Sequence, residues 1–300
     1  MNLNKYYGLL PLIVLFFSCK KEKLDITQFA PTSQEDYPKD KTLQNVENKR
    51  AMIIIAHDDD MSSMTGTISK LNKEGWEIEV LSFHGGEERD KAHTIACDNI
   101  LDKVAFFDLD YSEWRIDLNE RNEEDLHVPI PKEKFKGTFN SSVVENELIE
   151  RINSFRPSIV FTLDNKIGGY GHPEHVFISQ LVLDLSKMRK ISVPYIYQAV
   201  YTPHMAESIM DRHSKRMIEW GFPGDGWEKA KETYQVNGMP EPTTQINITS
   251  EANEKMNYLK SYNEREQKTI DFFVPGFQEY SAEEYFKVFD REFFRVIEIN

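Results

Sequence analysis

Apolar residues recur along this chain with two periods. Continuous β-branched runs such as Met52–Ala56 and Ile159–Leu163 are what strands buried on both faces require. Between such runs, apolar residues fall three and four apart, the spacing of a helix with one face on a core. Ser62–Glu74 is helical in character and stops at Gly75, and Glu77–Phe83 is the next strand. Glu87–Asp102 sets Ala92, Ile95, Ala96 and Ile100 on one helical face, and Val104–Asp108 follows as a strand. Residues 109–140 are polar and irregular and read as an insertion or long loop. Ser142 opens a further helix with Glu145 three residues on, the pattern of a capping box. Its apolar stripe is Val144, Leu148, Ile152 and Phe155, and Pro157 ends it. Pro173–Met188 reads as a helix and Pro194–Val200 as a strand.

Strands alternating with helices of this length predict an α/β fold. The form expected is a Rossmann-like open, mostly parallel sheet with helices on both faces. Beyond residue 201 the alternation fades. Residues 205–235 and 251–269 read as helices, and the Phe- and Tyr-rich tail from Tyr280 as an added strand. The expected domain is 49–300, with a core at 50–200 and a C-terminal, substrate-side extension at 201–300.

The first residues follow a different logic. Met1–Lys5 is short and cationic, and Gly8–Phe17 is an apolar run of signal-peptide length. It ends at Ser18-Cys19 and turns abruptly to Lys20-Lys21-Glu22-Lys23. This resembles the lipobox of a bacterial lipoprotein. The resemblance implies that residues 1–18 are removed, that Cys19 is lipidated, and that the protein sits in the cell envelope, lipid-anchored on the extracytoplasmic side of a membrane. Residues 19–48 are polar, with Pro31 and Pro38 and no apolar period, and read as a tether. The other cysteine, Cys97, falls in an amphipathic helix and reads as a buried, inert thiol. With 36 Lys+Arg against 50 Asp+Glu, the chain lacks the basic face that nucleic acid would select.

The chemistry concentrates in two stretches. Ala56-His57-Asp58-Asp59-Asp60 follows the first strand, and Gly171-His172-Pro173-Glu174-His175 follows the Ile159–Leu163 strand. In an open parallel sheet, ligands gather at the carboxyl ends of strands. His57 and Asp60, three apart at a helix start, can face one point, and imidazole and carboxylate are ordinary zinc ligands. Asp59 then points elsewhere. Gly168-Gly169-Tyr170-Gly171 is a flexible turn, and Pro173 suits a first helical position. Of His172 and His175, one turn apart, one can bind metal while the other faces substrate.

These stretches resemble the PIG-L/LmbE family of zinc-dependent N-acetylglucosamine de-N-acetylases, marked by Ala-His-Pro-Asp-Asp and Gly-His-Pro-(Asp/Glu)-His. Gly86-Glu87, Arg89 and Arg156-Pro157-Ser158-Ile159-Val160-Phe161 match further family segments. Met256–Gln267 is similar to a late family helix. The resemblance implies Zn²⁺ on His57, Asp60 and His175, with Asp59 as general base and His172 stabilising the oxyanion. Arg89 would bind substrate or form a salt bridge. The implied substrate is an N-acetylated amino sugar or glycoconjugate. Two positions depart from the pattern: Asp58 replaces the family's Pro, and Met61 replaces a Glu. The extra carboxylate should raise the pKa of a poorly solvated neighbour.

Two other readings remain open on sequence: a zinc amidase acting on another small amide, and a non-catalytic glycan-binding lipoprotein. Trp220, Phe222 and Trp227 suggest either a platform for a sugar ring or packing aromatics. His84 reads as a loop histidine, and His93, His127, His204 and His213, which lack ligand spacing, as surface or packing residues.

Overall fold

The structure, a computed structural model, describes residues 23–119 and 126–299. Seven strands form one sheet: β1 (Arg50–Ile54), β2 (Glu77–Ser82), β3 (Lys103–Phe106), β4 (Ile159–Leu163), β5 (Tyr195–Val200), β6 (Thr244–Asn247) and β7 (Arg291–Glu298). Their order is β3-β2-β1-β4-β5-β7-β6. The first five run parallel, and β7 pairs antiparallel with both β5 and β6. The expected α/β architecture is therefore present, completed by an antiparallel pair. The longer helices are α1 (Thr65–Lys73), α2 (Glu87–Ala96), α3 (Ser141–Phe155), α4 (Pro173–Lys187), α5 (Pro203–Glu219), α6 (Gly226–Tyr234), α7 (Ala252–Ser261), α8 (Glu264–Phe273) and α9 (Ala282–Val288).

Burial explains the two kinds of run. All of β4, and β1 from Ala51 onward, are buried, as central strands covered on both sides must be. Helix α7 packs on α1, α2 and α9, while α3 packs on α4, so two separate helical groups wrap the sheet. The strand order reverses direction between β1 and β4. That makes the crevice beyond their carboxyl ends the topological switch point. Both chemical stretches exit into it.

Several expectations are corrected. Residues 24–48 do not hang free as a tether. Ile26, Phe29 and Leu43 are buried, and Thr244 Oγ1 donates to the Pro38 carbonyl at 2.9 Å. Three well-spaced apolar residues suffice to dock this arm, because each buried side chain contributes roughly 1.5–3 kcal/mol. Residues 201–299 supply β6 and β7 to the same sheet, with β7 in the tail where a strand was expected. The helix at 142 has no capping box. Its N-cap is Asn140 without a side-chain bond, and Glu145 pairs instead with Lys190. The helix expected over 205–235 breaks at Trp220–Asp225, and that over 251–269 breaks at Tyr262-Asn263, where Asn263 caps α8 through Glu266 N. The lipobox with Cys19 lies outside the described residues. Among those residues no helix is long and apolar enough to cross a membrane.

Candidate active site

After β1 the chain enters a 3₁₀ turn, Asp58–Ser63, with His57 as its N-cap. The His57 N–H donates to Asp60 Oδ2 at 2.9 Å, which folds the Asp60 carboxylate back toward the His57 ring. After β4, Gly168–Gly171 forms one tight turn and His172 caps α4, with Pro173 in its first turn. Two of these glycines are obligatory. Gly168 has φ +61°, and a Cβ there would meet His175 Cβ at 2.7 Å. Gly171 has φ +108°, and its Cβ would meet Ala230 Cβ on α6 at 2.5 Å.

The two turns bring three donor atoms to one point. His57 Nδ1 lies 2.8 Å from His175 Nε2, and Asp60 Oδ1 lies 3.1 Å from that same nitrogen. The second nitrogens are already engaged. His175 Nδ1 faces the Gly168 carbonyl at 2.9 Å, so it carries the proton and leaves the Nε2 lone pair pointing inward. His57 Nε2 faces Glu174 Oε2 at 2.9 Å, which leaves its Nδ1 for the centre. Two inward ring nitrogens and a carboxylate need a positive charge between them, a proton or a cation. The electrostatics agree. Burial alone would push His57 down, but the Glu174 bond and the Asp60 and Asp59 charges raise it to about 9. Burial and the neighbouring His57 lower His175 to about 3. Burial, with the charge of Asp59 added, holds Asp60 above the ordinary carboxylate range against the pull of His57. A cation on His57, Asp60 and His175 would satisfy all three at once, and the donor set is that of zinc. His57, His172 and His175 also lie close enough to form a triad. His172 is the poorer ligand, because both its nitrogens are engaged elsewhere.

His172 Nδ1 accepts from the Glu174 N–H at 3.3 Å, and its Nε2 meets His127 Nδ1 at 2.9 Å. Burial and the neighbouring His175 hold it well below the usual histidine range, so it is neutral with its proton on Nε2. Asp59 borders the cavity beside the centre, and Arg89 Nη2 donates to its Oδ1 at 3.0 Å. Arg89 also grips Asp58 and lies 3.7 Å from Glu266. The sequence departure at Asp58 is thus absorbed. Its side chain turns away from the centre toward Arg89, while Tyr258 Oη donates to its backbone carbonyl at 2.8 Å. Burial and the charge of Asp59 raise the Asp58 carboxyl itself. Met61 is wholly buried and packs in the core.

Sequence reasoning missed four residues. Glu174 sits inside the second stretch, yet no role was read for it. It is buried and receives His57 Nε2, Tyr111 Oη at 2.9 Å and the Arg115 guanidinium. Arg115 is itself fully buried and pairs with Asp117 at 2.7 Å. Tyr111, Arg115 and His127 come from the stretch read as an irregular insertion. His127 is exposed, as read, yet its Nδ1 also meets His172 Nε2. Two fully buried opposite charges are the physical signal here, but only the fold brings them together. The aromatic platform does not form. Trp227 is buried and bonds Glu207, whereas Trp220 and Phe222 are exposed and do not line the cavity. His84 bonds Asp90 at 2.6 Å, and His93 packs against Tyr262 and Cys97. Cys97 is buried, and burial raises its thiol.

Residues 52–186 match the family PIG-L, GlcNAc-PI de-N-acetylase. The chain is 28% identical over 152 residues to mycothiol S-conjugate amidase of Streptomyces coelicolor, which covers 45% of this chain and 50% of the relative. The match thus spans about half the length of that relative. Among solved structures, N,N'-diacetylchitobiose deacetylase from Pyrococcus horikoshii is similar at TM-score 0.48 and 14% identity, covering 86% of this chain and 87% of that one. The 4-carboxy-2-hydroxymuconate hydratase of Pseudomonas putida is similar at TM-score 0.49 and 13% identity, with 83% and 96% covered.

Proposed function

We propose that this chain is a zinc-dependent hydrolase that removes the acetyl group from an N-acetylated amino sugar or glycoconjugate. The observation that carries the reading is the convergence of His57 Nδ1, His175 Nε2 and Asp60 Oδ1 beside Asp59 and His172. The match of residues 52–186 to the PIG-L family supports it. His57, Asp60 and His175 would hold the metal, which when bound supplies Lewis acidity toward a carbonyl oxygen and lowers the pKa of water. Asp59, at the cavity edge, takes the proton from the attacking water. Arg89 fixes its carboxylate. His172, neutral and protonated on Nε2, donates to the oxyanion as the carbonyl carbon becomes tetrahedral. His127, now paired with that nitrogen, is the group the substrate oxygen displaces. Glu174 orients His57, and Arg115 and Tyr111 hold Glu174. Collapse breaks the C–N bond, and the proton gathered from water leaves with the amine.

A second reading is hydrolysis of another small amide, such as a thiol conjugate. The similarity to an amidase favours it. Acetate release from N-acetylglucosamine, its disaccharide and peptidoglycan fragments, with and without chelator, tests the first reading. Cleavage of thiol-conjugate amides with no release from any amino sugar would select the second. Bound glycan with no metal and no turnover would instead make the chain a binding protein.

We also propose that Cys19 carries lipid and anchors the protein to the extracytoplasmic side of a bacterial membrane. Fatty-acid labelling of the full chain tests this: label should enter the wild type and be lost in Cys19→Ser.

A further inference from the structure

We propose that the cavity beside the catalytic centre receives the acyl arm of the amide, and that the chain prefers acyl groups several methylenes longer than acetyl. This rests on the hydrolase reading above. The cavity, about 60 Å³, meets the centre at Asp59, Asp60 and His175. The rest of its wall is largely apolar, chiefly Leu163, Tyr170, Val200, Met239, Ile270 and Phe273. Among the described residues no lysine, arginine, asparagine or glutamine lines it. Two of its hydroxyls are already committed. Ser63 Oγ donates to the Asp60 carbonyl at 2.8 Å, and Tyr201 Oη to the Phe273 carbonyl at 2.9 Å.

A sugar ring placed there would lose water from its hydroxyls and find few partners. An alkyl chain would shed water at a gain. The space also continues. A second cavity of about 50 Å³ shares Ser62, Ser63, Val200, Tyr201 and Phe273 with the first and runs on past Met205, Ile209 and Phe286 toward Lys255, Glu292 and Arg291 at its far end. The polar groups lie across the centre, where Arg115 and Tyr111 reach it through Glu174 and His127 through His172. The amide therefore lies with its amine arm toward that polar side and its acyl arm in the cavity. The balanced step is R–CO–NH–R′ + H₂O → R–COO⁻ + R′–NH₃⁺. One C–N bond breaks, one C–O bond forms, and nothing is oxidised.

The test has two measurements on the zinc-loaded full chain. The first is amine release from glucosamine carrying acetyl, butanoyl, hexanoyl or octanoyl groups, beside octyl N-acetylglucosaminide. The second is calorimetric binding of octanoate against acetate. We expect kcat/KM to rise roughly two- to fourfold per methylene through hexanoyl, and octanoate to bind at least about tenfold tighter than acetate. Met239→Trp should cost hexanoyl turnover about tenfold more than acetyl turnover, while Met239→Leu keeps the wild-type ratio. Turnover that is flat or falls with acyl length, or a gain confined to the octyl glycoside, overturns the proposal. If no amide is cleaved but octanoate still binds tenfold tighter and Met239→Trp removes that preference, the cavity assignment stands and the hydrolase reading falls. If octanoate binds no tighter than acetate, the assignment falls whatever the enzyme cleaves.

Discussion

Glu174 accepts a hydrogen bond from His57 Nε2 at 2.9 Å across 117 residues of sequence. This contact joins the two strand-end turns and sets which nitrogen His57 turns inward. The Glu174 carboxylate is in turn held by Tyr111 and by fully buried Arg115. The geometry of the centre thus depends on a stretch with no regular apolar period.

Glu174→Gln should weaken zinc binding by about 10–100-fold, the usual cost of removing a partner that orients a metal-ligating histidine. Competition with a chromophoric chelator measures it. An unchanged affinity would mean that Glu174 only neutralises Arg115.

Asp59→Asn should keep zinc at wild-type stoichiometry and lose about 10²–10⁴ in kcat. Asn keeps the shape and can still accept from Arg89, but it takes no proton. Metal analysis and acetate release on one preparation check both halves. Full activity would remove Asp59 from the base role.

Gly171→Ala should destabilise the fold by about 2–5 kcal/mol. Left-handed backbone costs an L residue about 1–2 kcal/mol, and overpacking against Ala230 adds about 1–3. Gly75, also at positive φ but with open space around it, should tolerate Ala with only the backbone part of that loss. Urea midpoints of the two variants compare them.

Stability should fall with acidification partly through His93. Burial lowers His93 to about 4 from an ordinary value of 6.5. Above pH 6.5 it is neutral whether the chain is folded or not, and its contribution is complete. As pH falls from 6.5 to 4 the unfolded chain gains a proton that the folded chain refuses, so stability is lost across that window. The loss is on the order of 3 kcal/mol. His93→Phe should flatten the pH dependence of the urea midpoint between 4 and 6.5. An unchanged slope would assign it to other groups.

The parallel part of the fold was legible because buried strands and one-faced helices leave different apolar periods. β1, β2, β4, β5 and α4 fall within a residue or two of expectation. The two strand-end turns were legible because His and Asp at helix starts have local geometry. What escaped depends on contacts far apart in sequence. Ile26, Phe29 and Leu43 are too sparse to show a period, yet they dock the arm. Asn140 and Asn263 set helix starts that Ser142 and the continuous 251–269 pattern obscured. His127 has no neighbouring ligand in sequence and meets His172 across 45 residues of chain.

The central claim is that His57, Asp60 and His175 hold one zinc ion that amide hydrolysis requires. Zinc content and acetate release from N-acetylglucosamine oligosaccharides, measured on the same sample before chelation, after it, and after zinc is returned, test it most directly. The account predicts one zinc per chain, loss of both zinc and turnover on chelation, and recovery of both together. It also predicts no recovery in His175→Ala. Turnover that survives full removal of metal, or that His175→Ala retains, would contradict it.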